Sequence, residues 1–341
     1  MKKEEILKYY KGQPLDIKGI NLGKAEGVTF DHLNEHFSQT LEAELLFVKK
    51  YNELFAECKN KGISFLSAEF RKRKSEIKTY VEQKKQNGEL LLTEKHKKLL
   101  EFIENLYFSS LEEEMTVKQM DVENGKVIIP QDHICHQWNL SSLEQVESPL
   151  EQVEYYLKQF KSYADLGIIA TEWFGILESQ SEARFCVFVK GDLQKTASFE
   201  GDFSSTAILF FIDNTNPLWE RLVSLDFFEY VHIKQQSPEK ISSLYPKEII
   251  ELYEEILLPL SPGAEATHDY PNSQCYSWRA IPGGIPPQLI NGIQIGSENK
   301  LLIQQIEKIQ EMFPQAIIFD EHRTVLSQQK GKNYEDENVV K

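Results

Sequence analysis

From Phe30 to Cys58 the apolar residues Phe30, Leu33, Phe37, Leu41, Leu45, Val48, Tyr51, Phe55 and Cys58 recur at steps of three or four. That spacing lines one face of an α-helix. A helix this long, apolar along one stripe, must lay that stripe against other parts of the chain. Thr29 precedes the run and Gly62 closes it. A second helix is expected from Ser67 to Asn87-Gly88. A third is expected from Thr93, an N-cap residue, through Leu99, Leu100, Ile103, Leu106 and Tyr107. Residues 29–114 therefore read as a helical hairpin or three-helix bundle, after an N-terminal segment and Gly-punctuated connector at 1–28.

The period changes to two at Thr116-Val117, Met120 and Val122, and again at Val127 to Ile129, with Asn124-Gly125 between. Asn-Gly between β-rich flanks predicts a hairpin, because a type I′ turn needs φ > 0 at both central residues. A domain boundary is placed just before it, giving an α+β domain at 115–327 and a charged tail at 328–341. Pro149 opens a helix that Gly167 ends. Strands are expected at 168–177, 183–190, 207–213, 229–233, 276–281, 289–295, 316–320 and 324–326. Helices are expected at 217–225, 246–258 and 297–313. The run 289–320 reads as a βαβ unit with parallel strands. The strands between 168 and 213 read as antiparallel. The fold class is α+β, with a mixed sheet and flanking helices.

The longest clearly apolar run, Ala207 to Ile212, is far shorter than a bilayer span, and the first residues show no leader pattern. Cys58, Cys135, Cys186 and Cys275 stand far apart. They read as reduced thiols of a cytoplasmic protein. The net charge of −15 is unevenly spread: 21 Lys+Arg oppose 20 Asp+Glu through residue 120, and 17 oppose 33 beyond it. An acidic second part disfavours nucleic acid as its partner. On the second helix Arg71, Lys74, Lys78 and Lys85 fall in one stripe. It faces either a partner or the chain's own acidic part.

The signatures of P-loop NTPases, dinucleotide enzymes, zincins and α/β-hydrolases are absent, and no cofactor is called for. His133, Cys135 and His136 are metal-ligand types, but they stand too close together for the usual tetrahedral set, so no metal site is assigned. Reactive and aromatic side chains are densest at 265–287, which holds His268, Asp269, Cys275, Tyr276, Trp278 and Arg279 and then the run Ile281-Pro-Gly-Gly-Ile-Pro-Pro287.

The leading expectation is recognition of a protein or small polar ligand through this loop. Tyr276 and Trp278 would be apolar anchors, Arg279 a donor to a carboxylate or phosphate, and Gly283-Gly284 a close-approach backbone. The alternative is a cysteine-dependent transferase or hydrolase. Gln274-Cys275 followed by aromatics resembles the nucleophile segments of transglutaminase and papain-type enzymes. The resemblance implies Cys275 as nucleophile, with His268, His322 or His232 as base and Asp320 or Asp269 as orienter.

Overall fold

The computed structural model describes residues 30–111, 117–130, 132–138, 149–169, 186–192, 205–260 and 276–328. Its helices are α1 (Phe30–Asn60), α2 (Ala68–Gln86), α3 (Glu94–Leu111), α4 (Pro149–Leu166), α5 (Pro217–Val223), α6 (Phe227–Gln236), α7 (Ile241–Leu244), α8 (Lys247–Leu252), α9 (Leu258–Leu260), α10 (Lys300–Ile303) and α11 (Ile306–Met312). A π-helical turn at Tyr253–Leu257 joins α8 to α9. The strands are β1 (Val122–Glu123), β2 (Lys126–Val127), β3 (Ile134–Trp138), β4 (Ile168–Ile169), β5 (Cys186–Asp192), β6 (Ile208–Ile212), β7 (Tyr276–Pro282), β8 (Gly284–Ile285), β9 (Ile290–Ile295), β10 (Ile317–Phe319) and β11 (Val325–Ser327).

Local chemistry sets the helix starts. The Ser67 side chain accepts from the Phe70 amide at 3.1 Å, and the Thr93 hydroxyl accepts from the His96 amide at the same distance. Each removes one of the unpaired donors that every helix start leaves. The apolar stripe of α1 does not close on α2 and α3 alone. Leu41, Phe47, Val48, Val81, Leu99 and Ile103 share one hydrophobic cluster with Phe227, Tyr230, Ile249, Leu252, Tyr253 and Ile256. One core therefore crosses the place where the sequence suggests a division. Lys95 reaches across it to Glu255 at 2.8 Å.

Seven strands form one mixed sheet in the order β11-β10-β9-β6-β3-β5-β7. The β9–β10 pair is parallel and the other pairs are antiparallel. The α+β class and the crossover from β9 to β10 are as the sequence predicts. All five residues of β6 are buried, which means both of its faces are covered. Ile208, Phe210 and Ile212 pack with Phe160 and Ile309 on one face. Leu209 and Phe211 pack with Cys135, Val127 and Phe319 on the other.

Three expectations change. Residues 229–233 lie in α6, not in a strand. Asp226 accepts from the Phe228 amide at 3.1 Å and starts a helix there, burying Phe227, Tyr230 and Val231 at helical spacing. Five β-prone residues were too short a window to reveal that period. The segment from Ile134 to Trp138, absent from the expected strands, is the interior strand β3. It pairs with β6 along its whole length and with β5 at Ile134 and Cys135. Consequently β5 and β6 do not pair with each other; each is antiparallel to β3. The single helix expected at 297–313 is two, α10 and α11, each burying one aliphatic residue toward the sheet, Leu302 and Ile309. Of the strand expected at 168–177, Ile168–Ile169 forms and pairs with β8, and 170–177 lie outside the described residues.

The hairpin forms as Asn-Gly dictates, with φ of 51° at Asn124 and 75° at Gly125. Gly167 also has positive φ, 74°, yet its situation differs. Gly125 has open space around it, whereas a Cβ at Gly167 would collide with the Ile285 carbonyl oxygen and come within 2.9 Å of the Pro287 nitrogen. Gly125→Ala should therefore cost about 1 kcal/mol, the left-handed penalty alone. Gly167→Ala should cost about 3 kcal/mol or more, because β8 must also move away. Urea midpoints of the two variants against wild type check this ordering.

Candidate functional site

The stretch from Tyr276 to Ile295 runs from the outer edge of the sheet to its interior. Strand β7 is the terminal strand, Gly283 turns the chain with φ of 84°, β8 pairs with β4, and a 3-10 turn at Pro287–Leu289 delivers it into β9. Ile281, Ile285, Leu289 and Ile290 are fully buried in the cluster that α4 covers. Gly284 is buried and pairs with Ile169. The proline and glycine run is thus a buried crossover, not an exposed loop. Within the chain, Gly284 pairs with Ile169, and Gly167 approaches the backbone of Ile285 and Pro287 closely, while Gly283 is half-buried. Prolines remove donors and preset φ, which suits a connection threaded under a helix.

Arg279 already has a carboxylate partner, and it is intramolecular. Asp226, 1% exposed, accepts from Arg279 Nη1 on Oδ2 at 3.2 Å. Its Oδ1 accepts from the backbone amides of Phe228 at 3.1 Å and Ala280 at 2.8 Å. One side chain therefore caps α6 and blocks the outward N–H of β7 at Ala280. Burial pushes the Asp226 pKa above its ordinary value, against the pull of the Ala280 amide, the Arg279 charge and the Phe228 amide. Beneath α6, Tyr230, Tyr245 and Tyr253 pack edge to face. Burial raises the pKa of Tyr230 and Tyr245, so both stay neutral. The Tyr230 hydroxyl donates to Glu254 at 2.5 Å, and Lys234 donates to both oxygens of the same carboxylate at 2.6 Å. Burial works upward on Glu254, yet the bonds from Lys234 and Tyr230 prevail and hold its pKa below the ordinary value. These tyrosines lock the helices together, and the hydroxyls of Tyr230 and Tyr253 are committed, the latter to the Leu225 carbonyl.

Of the catalytic alternative, only His232, Asp320 and His322 are among the described residues. Cys275, His268 and Asp269 lie outside the described residues, as do the side chains of Tyr276 and Trp278. Tyr276 opens β7 at one end of the sheet, whereas Asp320 follows β10 at the opposite end. Four strands separate β7 from β10, which amounts to about 24 Å at the usual strand spacing. The structure does not bring His322 to the start of β7. His322 is 77% exposed, and Nε2 lies 3.9 Å from Glu321. The Asp320 carboxylate accepts from the amides of His322 at 2.9 Å and Thr324 at 2.8 Å. It shapes a turn and does not orient the imidazole. His232 is on α6, half-buried.

The metal-type residues of β3 are also divided. Cys135 packs in the cluster with Phe211 and Phe319, whereas the His136 ring lies 6.4 Å from that of Tyr163 on α4. Successive strand residues point to opposite faces, so the pleat holds them apart. His133 Nδ1 is 2.8 Å from the Pro130 carbonyl oxygen. Among the described residues no group of three or more His, Cys, Asp or Glu is placed to hold a metal.

Asp226 is the site residue that sequence reasoning missed. Its signal was present as Asp226 ahead of buried positions 227, 230 and 231, the order of an N-cap and a helical face. Comparison with known proteins finds no matching family model, no similar curated protein and no similar solved structure.

Asp226→Ala should destabilise by about 3 kcal/mol or more, since it strands the Ala280 amide, removes the helix cap and leaves Arg279 without its partner. Asp226→Asn isolates the charge. Because folding raises this carboxyl's pKa, its contribution to stability is full below the ordinary value of 3.8 and declines as pH rises through the folded value. The unfolding free energy of wild type minus that of Asp226→Asn should therefore fall with rising pH across that window. A difference that rises instead would show that the Arg279 pair outweighs burial.

Proposed function

We propose that this chain is a recognition protein that takes an extended segment of a protein partner along the outer edge of β7, at Tyr276 to Trp278. The carrying observation is the state of that edge. Strand β7 ends the seven-stranded sheet, and among the described residues no strand pairs with its outer side. Outward-pointing N–H groups recur at every second residue of an antiparallel strand. That of Ala280 points to Asp226, so those of Trp278 and Tyr276 share the same side. The Asp226 carboxylate closes the edge at Ala280 and leaves the two-residue step below it for pairing. Strand addition obtains affinity from such main-chain groups and specificity from alternate side chains. Tyr and Trp at the two positions are the residue types that dominate binding energy at interfaces.

A polar ligand as the main target loses its chief donor, since Arg279 is engaged by Asp226. The acidic balance beyond residue 120 favours a partner segment of neutral or positive charge. The cysteine-dependent alternative keeps Cys275 with His268; a Cys275 thiol that alkylates no faster than an ordinary one at neutral pH removes it.

Proline is tolerated in an edge strand where the missing N–H would face outward. Tyr276→Pro and Trp278→Pro are expected to keep the wild-type unfolding midpoint within about 1 kcal/mol and to lose the partner. Ser277→Pro, which removes a bond toward β5, should destabilise the fold by about 3 kcal/mol. Amide exchange at 276 and 278 should slow in the complex. Retention of the partner by both outward proline variants refutes edge pairing.

A further inference from the structure

The turn between α1 and α2 gathers three exposed apolar side chains in one place. Phe55 and Phe65 stack with ring centroids 4.1 Å apart, yet each is 39% exposed, and Leu66 beside them is 84% exposed. The tip is built to hold this shape. Leu54, Cys58 and Phe70 form a small buried cluster of their own beneath it, with Tyr51, Ile63 and Ile77 packed around. Phe65 rests edge-on against Phe70 at 5.3 Å. The exposed trio is a supported protrusion.

Cations surround it. From Glu57 to Lys74 there are six Lys or Arg and two Glu, in a chain of net charge −15. Arg73 and Lys61 share the Glu57 carboxylate at 2.6 Å each. Arg71 donates to the Leu66 carbonyl at 3.1 Å, which holds a guanidinium at the base of the most exposed apolar side chain. Lys59, Arg71 and Lys72 are exposed. The core shared with 227–260 extends along α1 to Val48, with Tyr51 packed against it, and Cys58 lies 10 residues beyond Val48, about 15 Å at 1.5 Å per residue. That is about two Debye lengths at physiological salt, so charges around that core act on the tip through a screened field.

The geometry points to an anionic lipid surface as the occupant: Leu66 and the rims of Phe65 and Phe55 enter the headgroup boundary, and Lys59, Lys61, Arg71 and Lys72 meet the headgroup anions. The shape decides between this and an acidic protein segment. A helix or strand of a partner needs a groove or a flat face, whereas a convex hairpin end with its apolar residues foremost and its cations behind suits insertion into a headgroup layer. No helix of the described residues is long and apolar enough to cross a membrane, so the contact is peripheral.

The test is co-sedimentation of the full chain with vesicles of phosphatidylcholine alone and of phosphatidylcholine with phosphatidylserine. Partition should be at least about tenfold greater on the anionic vesicles and should fall away in high salt. Leu66→Ser, at a position with almost no packing to lose, should leave the unfolding midpoint unchanged and lower that partition about tenfold. Arg71→Gln with Lys72→Gln should lower it without lowering binding to the β7 partner. Equal partition on both vesicle types overturns the inference, as does wild-type partition by Leu66→Ser. Sedimentation without vesicles completes it: self-association that Leu66→Ser abolishes would assign the tip to a second copy of the chain and overturn the lipid assignment.

Discussion

The Asp226 carboxylate is the joint on which the C-terminal half depends. It has two oxygens and serves three donors, each from a different need: the start of α6, the outward amide of the edge strand β7, and the Arg279 guanidinium. Buried polar groups are tolerable when their bonds are made, and here the strand's spare donor and the helix's spare donor satisfy the same acid. That arrangement fixes α6 against the sheet's edge. Through Phe227, Tyr230 and Tyr253 it also fixes the surface on which α1 lays its apolar stripe. The N-terminal hairpin is therefore anchored on a core that the C-terminal helices complete.

A second constraint is the passage from the sheet's edge to its interior. Going from β7 to β9 the chain must traverse beneath α4 with its backbone buried. Buried backbone needs partners, and the short β4–β8 pair supplies them at Ile168 and Ile169. Gly167 gives the clearance, and the prolines reduce the number of donors that need pairing. Residue types that in an exposed loop suggest a binding site serve here to thread a strand connection. This is why the densest unusual backbone in the sequence is not at the surface.

The two proposed contact regions follow from what this architecture leaves uncovered. One is a sheet edge closed by a carboxylate at Ala280, with no strand on its outer side among the described residues. The other is a helical tip that carries stacked phenylalanines and cations over a small buried cluster. Their chemistries differ, main-chain hydrogen bonding in one and apolar insertion with charge attraction in the other. Loss of either leaves the other intact.

Short-range chemistry was legible in the residues alone. The period of α1, the cap at Thr93 and the Asn124-Gly125 turn each depend on neighbours within a few positions, and the β9–β10 crossover follows from the strand–helix–strand order, so the α+β class could be read directly. Tertiary structure decided the rest. It placed β3 between β5 and β6, occupied Arg279 with Asp226 and set Asp320 and His322 far from the start of β7. Arg279 and Asp226 stand 53 residues apart in the chain, and no local pattern encodes that distance. Whether a charged or aromatic residue is available to a partner depends on which distant groups reach it first, and only the packed structure determines that.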